Sequence, residues 1–219
     1  MKKLKLLILL FAIMLTGCTV VRINTTSIDN IISVVLSKDN KLYNHIAKGY
    51  KYYVPRGVTY IDTNELNEKL YSEGTYYYLY IDAISYYYKT KTSYEENSNA
   101  YYSKKLKNGD KEGYVEITEQ NGKYLMEFVY NYAKIEAVVS KKELNDAVLN
   151  ASYILSTIKY NHNVVKLMLN DDYFTNKEEK YDIFDNTEKK ETKDNFLKYE
   201  KDKDEETDEV EVKEKNEVN

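Results

Sequence analysis

The sequence predicts an α+β domain, in which an antiparallel sheet of about five strands packs against an N-terminal helix and a long C-terminal helix. Three observations support this fold class. Apolar residues recur at helical spacing over residues 28–36 and again over 144–158. Between these stretches, runs of Tyr, Val and Ile alternate with polar residues. We place the globular domain at 27–175, ahead of a charged tail at 176–219.

The first helix is expected to begin after Thr26 or Ser27, since both residue types cap helix N-termini. Residues 40–48 are expected to add a turn or two, with Leu42 and Ile46 facing the core. Over residues 28–36, apolar side chains recur every three to four residues and form one stripe along the helix: Ile28, Ile31, Ile32, Val35 and Leu36.

Two short strands are predicted next, at 50–54 and 58–61, joined by a Pro-Arg-Gly turn. Asp62 and Glu65 have the spacing of a capping box. Residues 63–71 therefore form either a short helix or an extended connection, and the sequence does not separate the two.

Residues 75–90 are dense in β-forming side chains and are predicted as one long strand with a bend near 83–85. Alternation along this strand places two rows of side chains on opposite faces. One row holds Tyr77, Leu79, Ile81 and Ala83, and the other holds Tyr76, Tyr78, Tyr80 and Asp82.

A polar loop is expected at 91–112, and a hairpin follows. Its strands, 114–119 and 123–131, flank an Asn-Gly dipeptide, which supplies the positive φ angles that a tight hairpin turn requires. One further strand is predicted at 134–139, where apolar and other residues alternate.

The long helix is expected to start at a capping box formed by Ser140 and Glu143. A weaker helical segment is predicted after it, at 163–169. The apolar stripe of the long helix extends over about four turns and predicts that it covers one face of the sheet: Leu144, Ala147, Val148, Ala151, Ile154, Leu155 and Ile158.

The charges divide the chain into a neutral body and an acidic tail. Residues 18–175 carry 19 basic and 19 acidic side chains, whereas 176–219 carry 10 and 17. A neutral body argues against nucleic acid as a partner, because nucleic-acid binding needs a basic surface. The tail holds too few apolar residues to offset the entropy lost on ordering, so it is predicted to be disordered.

The N-terminus has the features of an export signal. Lys2, Lys3 and Lys5 precede an apolar run that ends at Leu15, and the sequence Leu-Thr-Gly-Cys closes it at Cys18. The run is too short to cross a bilayer, which needs about 20 apolar residues. Since Cys18 is the only cysteine, no internal disulfide can form.

Leu15-Thr16-Gly17-Cys18 looks like a lipobox, and the chain resembles a bacterial lipoprotein. The resemblance implies that residues 1–17 are a signal peptide, and that Cys18 takes a diacylglyceryl group and then, usually, an acyl chain. Residues 18–26 would form a lipidated spacer. Several acyl chains hold a protein on a membrane durably, whereas a single chain does so only marginally. The expected location is the extracytoplasmic face of the cell membrane.

The predicted order of elements also resembles the PsbP-like fold, an antiparallel sheet between helices, over roughly residues 27–160. The likeness at the level of residues is confined to Tyr52–Gly57 and Ile154–Lys159. It implies a binding or assembly accessory without catalysis, and it implies no particular site.

Tyrosine is the candidate residue for binding, since the chain has 25 Tyr, 5 Phe and no Trp. Such a composition also follows from AT-rich codon usage. If the row of Tyr76, Tyr78 and Tyr80 faces solvent, with Tyr86 and Tyr88 beyond it, it forms an aromatic platform for a glycan, a peptide or a protein partner. If a helix covers the row, these rings are core.

Motifs for catalysis, metals and cofactors are not found in the sequence. His45 and His162 are interpreted as surface or capping residues, and no spacing typical of a zinc site occurs. Paired acidic residues such as Glu95 and Glu96 lie in polar segments. The sequence therefore favours a non-catalytic envelope lipoprotein that acts as a binding or assembly accessory. A solute- or glycan-binding protein with a tyrosine-lined surface is the alternative.

Overall fold

The computed structural model describes residues 24–170, together with 179–181 and 189–191. The predicted signal peptide, Cys18 and most of the spacer lie outside the described residues, as does most of the predicted tail. Signal cleavage, lipidation and tail disorder thus stay predictions.

The described chain is an α+β protein, which confirms the predicted class. The helices are α1 (Ile28–Leu36), α2 (Ala83–Tyr88), α3 (Leu144–Thr157) and α4 (His162–Asn170). The strands are β1 (His45–Ala47), β2 (Tyr50–Tyr52), β3 (Thr59–Asn64), β4 (Asn67–Ser72), β5 (Thr75–Ile81), β6 (Tyr102–Asn108), β7 (Lys111–Gln120), β8 (Lys123–Tyr130), β9 (Ala133–Val139), β10 (Lys159–Tyr160), β11 (Glu179–Tyr181) and β12 (Lys189–Glu191).

The main sheet has seven antiparallel strands in the order β3-β4-β5-β9-β8-β7-β6. It consists of two meanders, β3 to β5 and β6 to β9, which meet where β5 pairs with β9. Between the meanders, the chain passes through α2 and residues 89–101 before it reaches the far edge at β6. We call residues 89–101 the crossing segment.

The core lies between the inner face of this sheet and the helices α1 and α3, which pack against each other. Leu70, Leu79 and Phe128 are among the inner-face side chains that are shielded from solvent, and Ile31 and Ile154 meet them from the helices. Each such side chain contributes about 1.5–3 kcal/mol on full burial.

A second, three-stranded antiparallel sheet has the order β1-β2-β10. It is joined to α3 where the Tyr53 N–H donates to the Thr157 hydroxyl at 3.0 Å. Separately, β11 and β12 pair antiparallel with each other. Within the described residues, no helix is long and apolar enough to cross a membrane.

The predicted sheet of about five strands is wrong, because polar sequences supply further strands. Residues 91–112 were expected to form a loop, yet they contain β6 and the start of β7. The segment 63–71, which the sequence left open, is extended: a turn with Glu65 at φ +53° leads into β4.

The predicted long C-terminal helix is not matched, because α3 is an internal element that β10 and α4 follow. The extension of the first helix through 40–48 is also wrong. That stretch leads into β1, and Ile46 is 72% exposed instead of facing the core. The long strand predicted for 75–90 ends at Ile81, and a helix follows it.

Several local predictions are confirmed. Ser27 caps α1 by accepting from the Asn30 N–H at 3.4 Å, and the predicted stripe on α1 is buried except for Ile28, which is partly buried. The β7–β8 hairpin turns at Asn121-Gly122, where both φ angles are positive. At α3, the Glu143 carboxylate accepts from the Ser140 N–H at 3.3 Å, which is one half of the predicted capping box, although the helix itself begins at Leu144 with Glu143 as its N-cap.

Candidate functional site

The tyrosine row of β5 is neither uniformly exposed nor uniformly core. Tyr77 and Leu79 point into the core, so Tyr76, Tyr78 and Tyr80 lie on the outer face of the sheet. Tyr76 is 43% exposed, Tyr78 is half-buried and Tyr80 is only 2% exposed. The exposed fraction of these side chains therefore falls along the row, from Tyr76 to Tyr80.

Tyr76 and Tyr78 belong to a larger aromatic surface, since Tyr71 and Lys69 on β4 lie directly opposite them. The ring centroids of Tyr71 and Tyr76 are 5.1 Å apart, and those of Tyr76 and Tyr78 are 6.5 Å apart. The Lys69 ammonium lies 4.2 Å from the Tyr76 centroid and 5.7 Å from that of Tyr78, within the range of a cation–π contact. We call these four residues the open tyrosine patch.

Charged residues continue this outer face towards the middle of the sheet. Glu136 lies opposite Tyr78, Glu127 lies opposite Glu136, and Glu116 lies opposite Glu127. The buried ammonium of Lys134 is 2.9 Å from a Glu136 oxygen and 3.8 Å from a Glu127 oxygen. We call this row of three carboxylates and one lysine the charged ladder.

Burial raises the pKa of Glu127, and the neighbouring Glu136 charge raises it further. The Lys134 charge and a hydrogen bond donated by the Tyr114 hydroxyl at 2.6 Å act in the opposite direction. Because burial is the largest of these influences, ionised Glu127 is less favourable here than in water. The outer face thus presents aromatic rings next to carboxylates with restricted solvation.

The crossing segment borders the charged ladder at the end formed by Glu116. The ring of Tyr94 stacks on that of Tyr114, with centroids 3.9 Å apart and planes 1° apart. The Tyr94 hydroxyl donates to Glu116 and contacts the Ser103 hydroxyl at 2.8 Å. Burial, together with the bond to Glu116, raises the pKa of Tyr94 to about 12.

Tyr86 and Tyr88 do not continue the row of β5, because they lie on α2. Asp82 is buried, caps this helix by accepting from the Ser85 N–H at 2.8 Å, and so ends the strand. Tyr86 stacks on Tyr160 at 4.0 Å, whereas Tyr88 is largely exposed. The predicted surface therefore divides into the open tyrosine patch and a separate aromatic cluster around α2.

A buried polar cluster that the sequence did not indicate lies on the inner face of the sheet. The carboxylate of Glu68, on β4, is fully buried. The hydroxyls of Tyr50 and Tyr52 each donate to one of its two oxygens. The Nε2 atom of His45 lies 3.4 Å from the oxygen that Tyr52 contacts, and the His45 ring lies between Tyr52 and Tyr60 at 4.9 and 4.6 Å.

This cluster links β1 and β2 of the small sheet to β4 of the main sheet. Burial, followed by the charge of Glu68, raises the pKa of both Tyr50 and Tyr52, so both hydroxyls keep the protons that they donate. The Glu68 carboxylate has no contact with solvent, and its hydrogen bonds to Tyr50 and Tyr52 join the two sheets. The sequence gave no signal for this cluster, because Glu68 is a single acidic residue in the segment 63–71, whose structure the sequence left open.

Neither histidine is part of a metal site in residues 24–170. His45 takes part in the Glu68 cluster, and His162 stacks on Tyr87 at 5.5 Å. In this part of the chain, no group of three or more His, Cys, Asp or Glu side chains is placed to hold a metal ion.

No model of a known protein family matches this chain, and no curated protein matches it. Its function is therefore inferred from the contacts described above.

Proposed function

We propose that the protein is a non-catalytic, lipid-anchored binding protein of the cell envelope. Cys18 tethers it to the extracytoplasmic face of the membrane, and the outer face of its main sheet contacts the partner. The order of charge, apolar run and lipobox supports the anchor. A PsbP-like accessory role, in binding or in assembly, is in keeping with this arrangement.

The observation that carries the proposal is the open tyrosine patch. On the inner face, the tyrosine side chains are buried or bonded, whereas Tyr76 and Tyr78 leave ring surface accessible beside the Lys69 ammonium. Contiguous exposed aromatic surface is a common feature of interaction sites. A tyrosine ring also loses little conformational entropy on binding and offers a hydroxyl for hydrogen bonds.

A glycan is the second candidate partner, and the charged ladder favours it. Glu136 lies directly beside Tyr78 and remains partly exposed, so a sugar ring that stacks on the tyrosine would have a carboxylate within reach of its hydroxyls. An aromatic ring can stack on the apolar face of a sugar, while neighbouring polar groups form hydrogen bonds with its hydroxyls.

The test uses a photo-crosslinking amino acid placed at position 76 or 78 in the producing cell. We expect both positions to give the same crosslinked envelope component, and position 88, exposed on α2, to give none. A Tyr76→Ser, Tyr78→Ser double variant should weaken binding of that component at least about tenfold, the effect of losing about 1.4 kcal/mol. Tyr88→Ser is the matched control.

The chemical nature of the crosslinked component separates the two candidates: a polypeptide supports the accessory role, and a carbohydrate supports glycan binding. Equal crosslinking from all three positions, or none, would contradict the proposal. The anchor has an independent readout, since Cys18→Ala should move the protein from the membrane fraction to the soluble fraction. A variant that stays on the membrane would show that Cys18 is not the tether.

A further inference from the structure

An open groove of about 490 Å³ lies on the small sheet, away from the open tyrosine patch. Its walls come from β1, β2, β10 and the first residues of α4, with Ile46, Lys51, Lys159 and His162 among the side chains. No Asp or Glu is among the residues that line it. We call it the basic groove.

Two lysines face each other across the floor of this groove. Lys159 on β10 pairs directly with Lys51 on β2, and Lys51 pairs on its other side with Ile46 on β1. Directly opposed residues of an antiparallel pair have Cβ atoms about 5 Å apart and point to the same face. Like charges in this position repel each other and destabilise the pairing.

Neither lysine forms an ion pair within the described residues. The Lys51 ammonium instead lies 3.7 Å from the ring centroid of Tyr43. A third lysine, Lys111, lies close enough to Lys159 for the two charges to interact. Burial lowers the pKa of Lys111, and the charge of Lys159 lowers it further, although Asp39 acts against this. The residues that line the groove thus include Lys51 and Lys159 but no carboxylate.

The walls of the groove are held in place by contacts at its base. The Asn161 N–H donates to the Gly49 carbonyl at 2.8 Å, which joins the β10–α4 junction to the β1–β2 turn. Gly49 has φ +88°, and a Cβ there would meet the Met168 sulfur at 3.0 Å. Because the backbone positions of Lys51 and Lys159 are fixed on paired strands, their repulsion can be relieved by an anion between them.

We infer that the basic groove binds a phosphate monoester. Two lysines on directly paired strand positions can supply two positive charges to a dianion, and lysine is a common ligand for phosphate. The exposed Ile46 side chain lines the groove and the Tyr43 ring lies against the Lys51 ammonium, so both would be near the organic part of the ester. The volume of the groove lies in the range of small-molecule sites, about 300–1,000 Å³. This site is separate from the partner surface proposed above.

The phosphate group could belong to a soluble ester or to a lipid headgroup, and the experiment has an arm for each. Residues 19–219, which contain all the described residues and lack both the predicted signal peptide and the lipid on Cys18, are titrated with glycerol 3-phosphate at low salt by calorimetry, and are mixed with vesicles of phosphatidylcholine with or without phosphatidic acid. We expect saturable binding at one site per chain. Binding to the soluble ester, or to vesicles only when they contain phosphatidic acid, identifies the source.

Lys51→Gln and Lys159→Gln should each weaken binding on the order of tenfold, as expected for loss of a charged hydrogen-bond donor. Lys51→Arg and Lys159→Arg should retain it. Without ligand, the two Gln variants should melt no lower than the parent protein, since each removes a repulsion. Lys123→Gln, on the β7–β8 hairpin, and the Tyr76→Ser, Tyr78→Ser variant should bind like the parent.

Two results would overturn the inference. One is the absence of saturable binding to both the soluble ester and the phosphatidic acid vesicles. The other is equal weakening in Lys123→Gln, which would show that binding follows net charge and not the groove.

Discussion

Glu68 illustrates how single residues of this protein combine burial with charge. Removing a carboxylate from water is unfavourable by several kcal/mol unless hydrogen bonds replace its hydration. Here both oxygens accept a tyrosine hydroxyl, and His45 approaches one of them. The carboxylate is therefore satisfied, and the three residues that satisfy it all come from the small sheet.

We predict that Glu68→Gln lowers the free energy of unfolding by about 2–3 kcal/mol. The amide of glutamine keeps one acceptor oxygen and replaces the other with a donor, so the hydroxyl of either Tyr50 or Tyr52 loses its acceptor. Urea denaturation followed by circular dichroism measures the change. Glu95→Gln, on the exposed crossing segment, should change stability by less than about 0.5 kcal/mol. Equal stability of the two variants would contradict this account of Glu68.

At several places in the structure, a tyrosine hydroxyl donates a hydrogen bond to a carboxylate. Besides the Glu68 cluster, Tyr114 donates to Glu127, Tyr94 donates to Glu116, and Tyr102 donates to Asp29 on α1. A phenol can replace phenylalanine in a core only if its hydroxyl finds a partner. These carboxylates show how the fold accommodates tyrosine at positions with little access to solvent.

At the level of elements, the sequence predicted what short-range patterns determine. The stripe of α1 and the Asn-Gly turn of the β7–β8 hairpin depend on neighbours within a few residues, and both are confirmed. The strand β6 was missed because its sequence is polar and lysine-rich, and the segment that contains β4 was left open because it has no clear alternation. They are strands because each forms a hairpin with a strand that adjoins it along the chain: β4 pairs with β3 and β5, and β6 pairs with β7.

The helix α2 was missed for the opposite reason. Its three consecutive tyrosines have high β-propensity, and they favoured continuation of the strand. The buried Asp82 instead caps the helix through its bonds to the N–H and the hydroxyl of Ser85, both 2.8 Å long. Tertiary contacts, among them the stacking of Tyr86 on Tyr160, thus override local propensity.

The pairing of β7 with β8 requires glycine at position 113. A Cβ at Gly113 would lie 1.9 Å from the Val129 carbonyl oxygen and 2.8 Å from the Tyr130 Cα. Both are backbone atoms of β8, so the strand itself would have to move. We predict that Gly113→Ala lowers the free energy of unfolding by more than about 3 kcal/mol, within the range of severe overpacking.

Gly109→Ala is the control for this substitution. A Cβ at Gly109 meets nothing within 4 Å, and its φ of +60° should cost only about 1 kcal/mol. Thermal unfolding of both variants provides the comparison. If Gly113→Ala melts at the same temperature as Gly109→Ala, the close approach of β7 and β8 does not exist in solution.

On the scale of the whole molecule, the sequence predicted which tyrosines of β5 share a face, but not how much of that face is exposed or which other residues belong to the candidate site. Alternation correctly grouped Tyr76, Tyr78 and Tyr80 on one face of β5. Their different exposures depend on what the crossing segment and the neighbouring strands cover, which no local pattern encodes. The Glu68 cluster and the basic groove join β1, β2, β4, β10 and α4, so both became visible only in three dimensions.

The tyrosines also determine how the whole domain responds to alkaline pH. Burial raises the pKa of Tyr50, Tyr52, Tyr114 and Tyr160 above the ordinary value near 10, and it raises that of Tyr130 to about 12. The folded state therefore holds these protons more tightly than the unfolded state does. The stabilisation is complete below about pH 10 and is lost as the pH rises towards the folded-state pKa values.

We predict a steep loss of stability above pH 10. Each proton that is released only on unfolding lowers the free energy of unfolding by about 1.4 kcal/mol per pH unit, so the first four tyrosines together give a slope of about 5–6 kcal/mol per pH unit. A domain with a typical stability of about 5–15 kcal/mol would then unfold within about one to three pH units above 10. Urea denaturation at successive pH values, with tyrosinate absorbance recorded in parallel, measures both quantities.

Tyr160→Phe tests the origin of this slope. The Tyr160 hydroxyl donates to the carbonyls of Asn131 and Tyr132, so the variant loses stability at neutral pH. It also has one phenol fewer, and its slope above pH 10 should therefore fall by about 1.4 kcal/mol per pH unit, the share of one proton. The variant should therefore be less stable than the parent at neutral pH, but its stability should depend less on pH above 10. The first effect reports the lost hydrogen bonds, and the second reports the lost ionisable group. A slope that stays unchanged in Tyr160→Phe, or a stability independent of pH between about 9 and 11, would show that buried phenols do not govern alkaline unfolding.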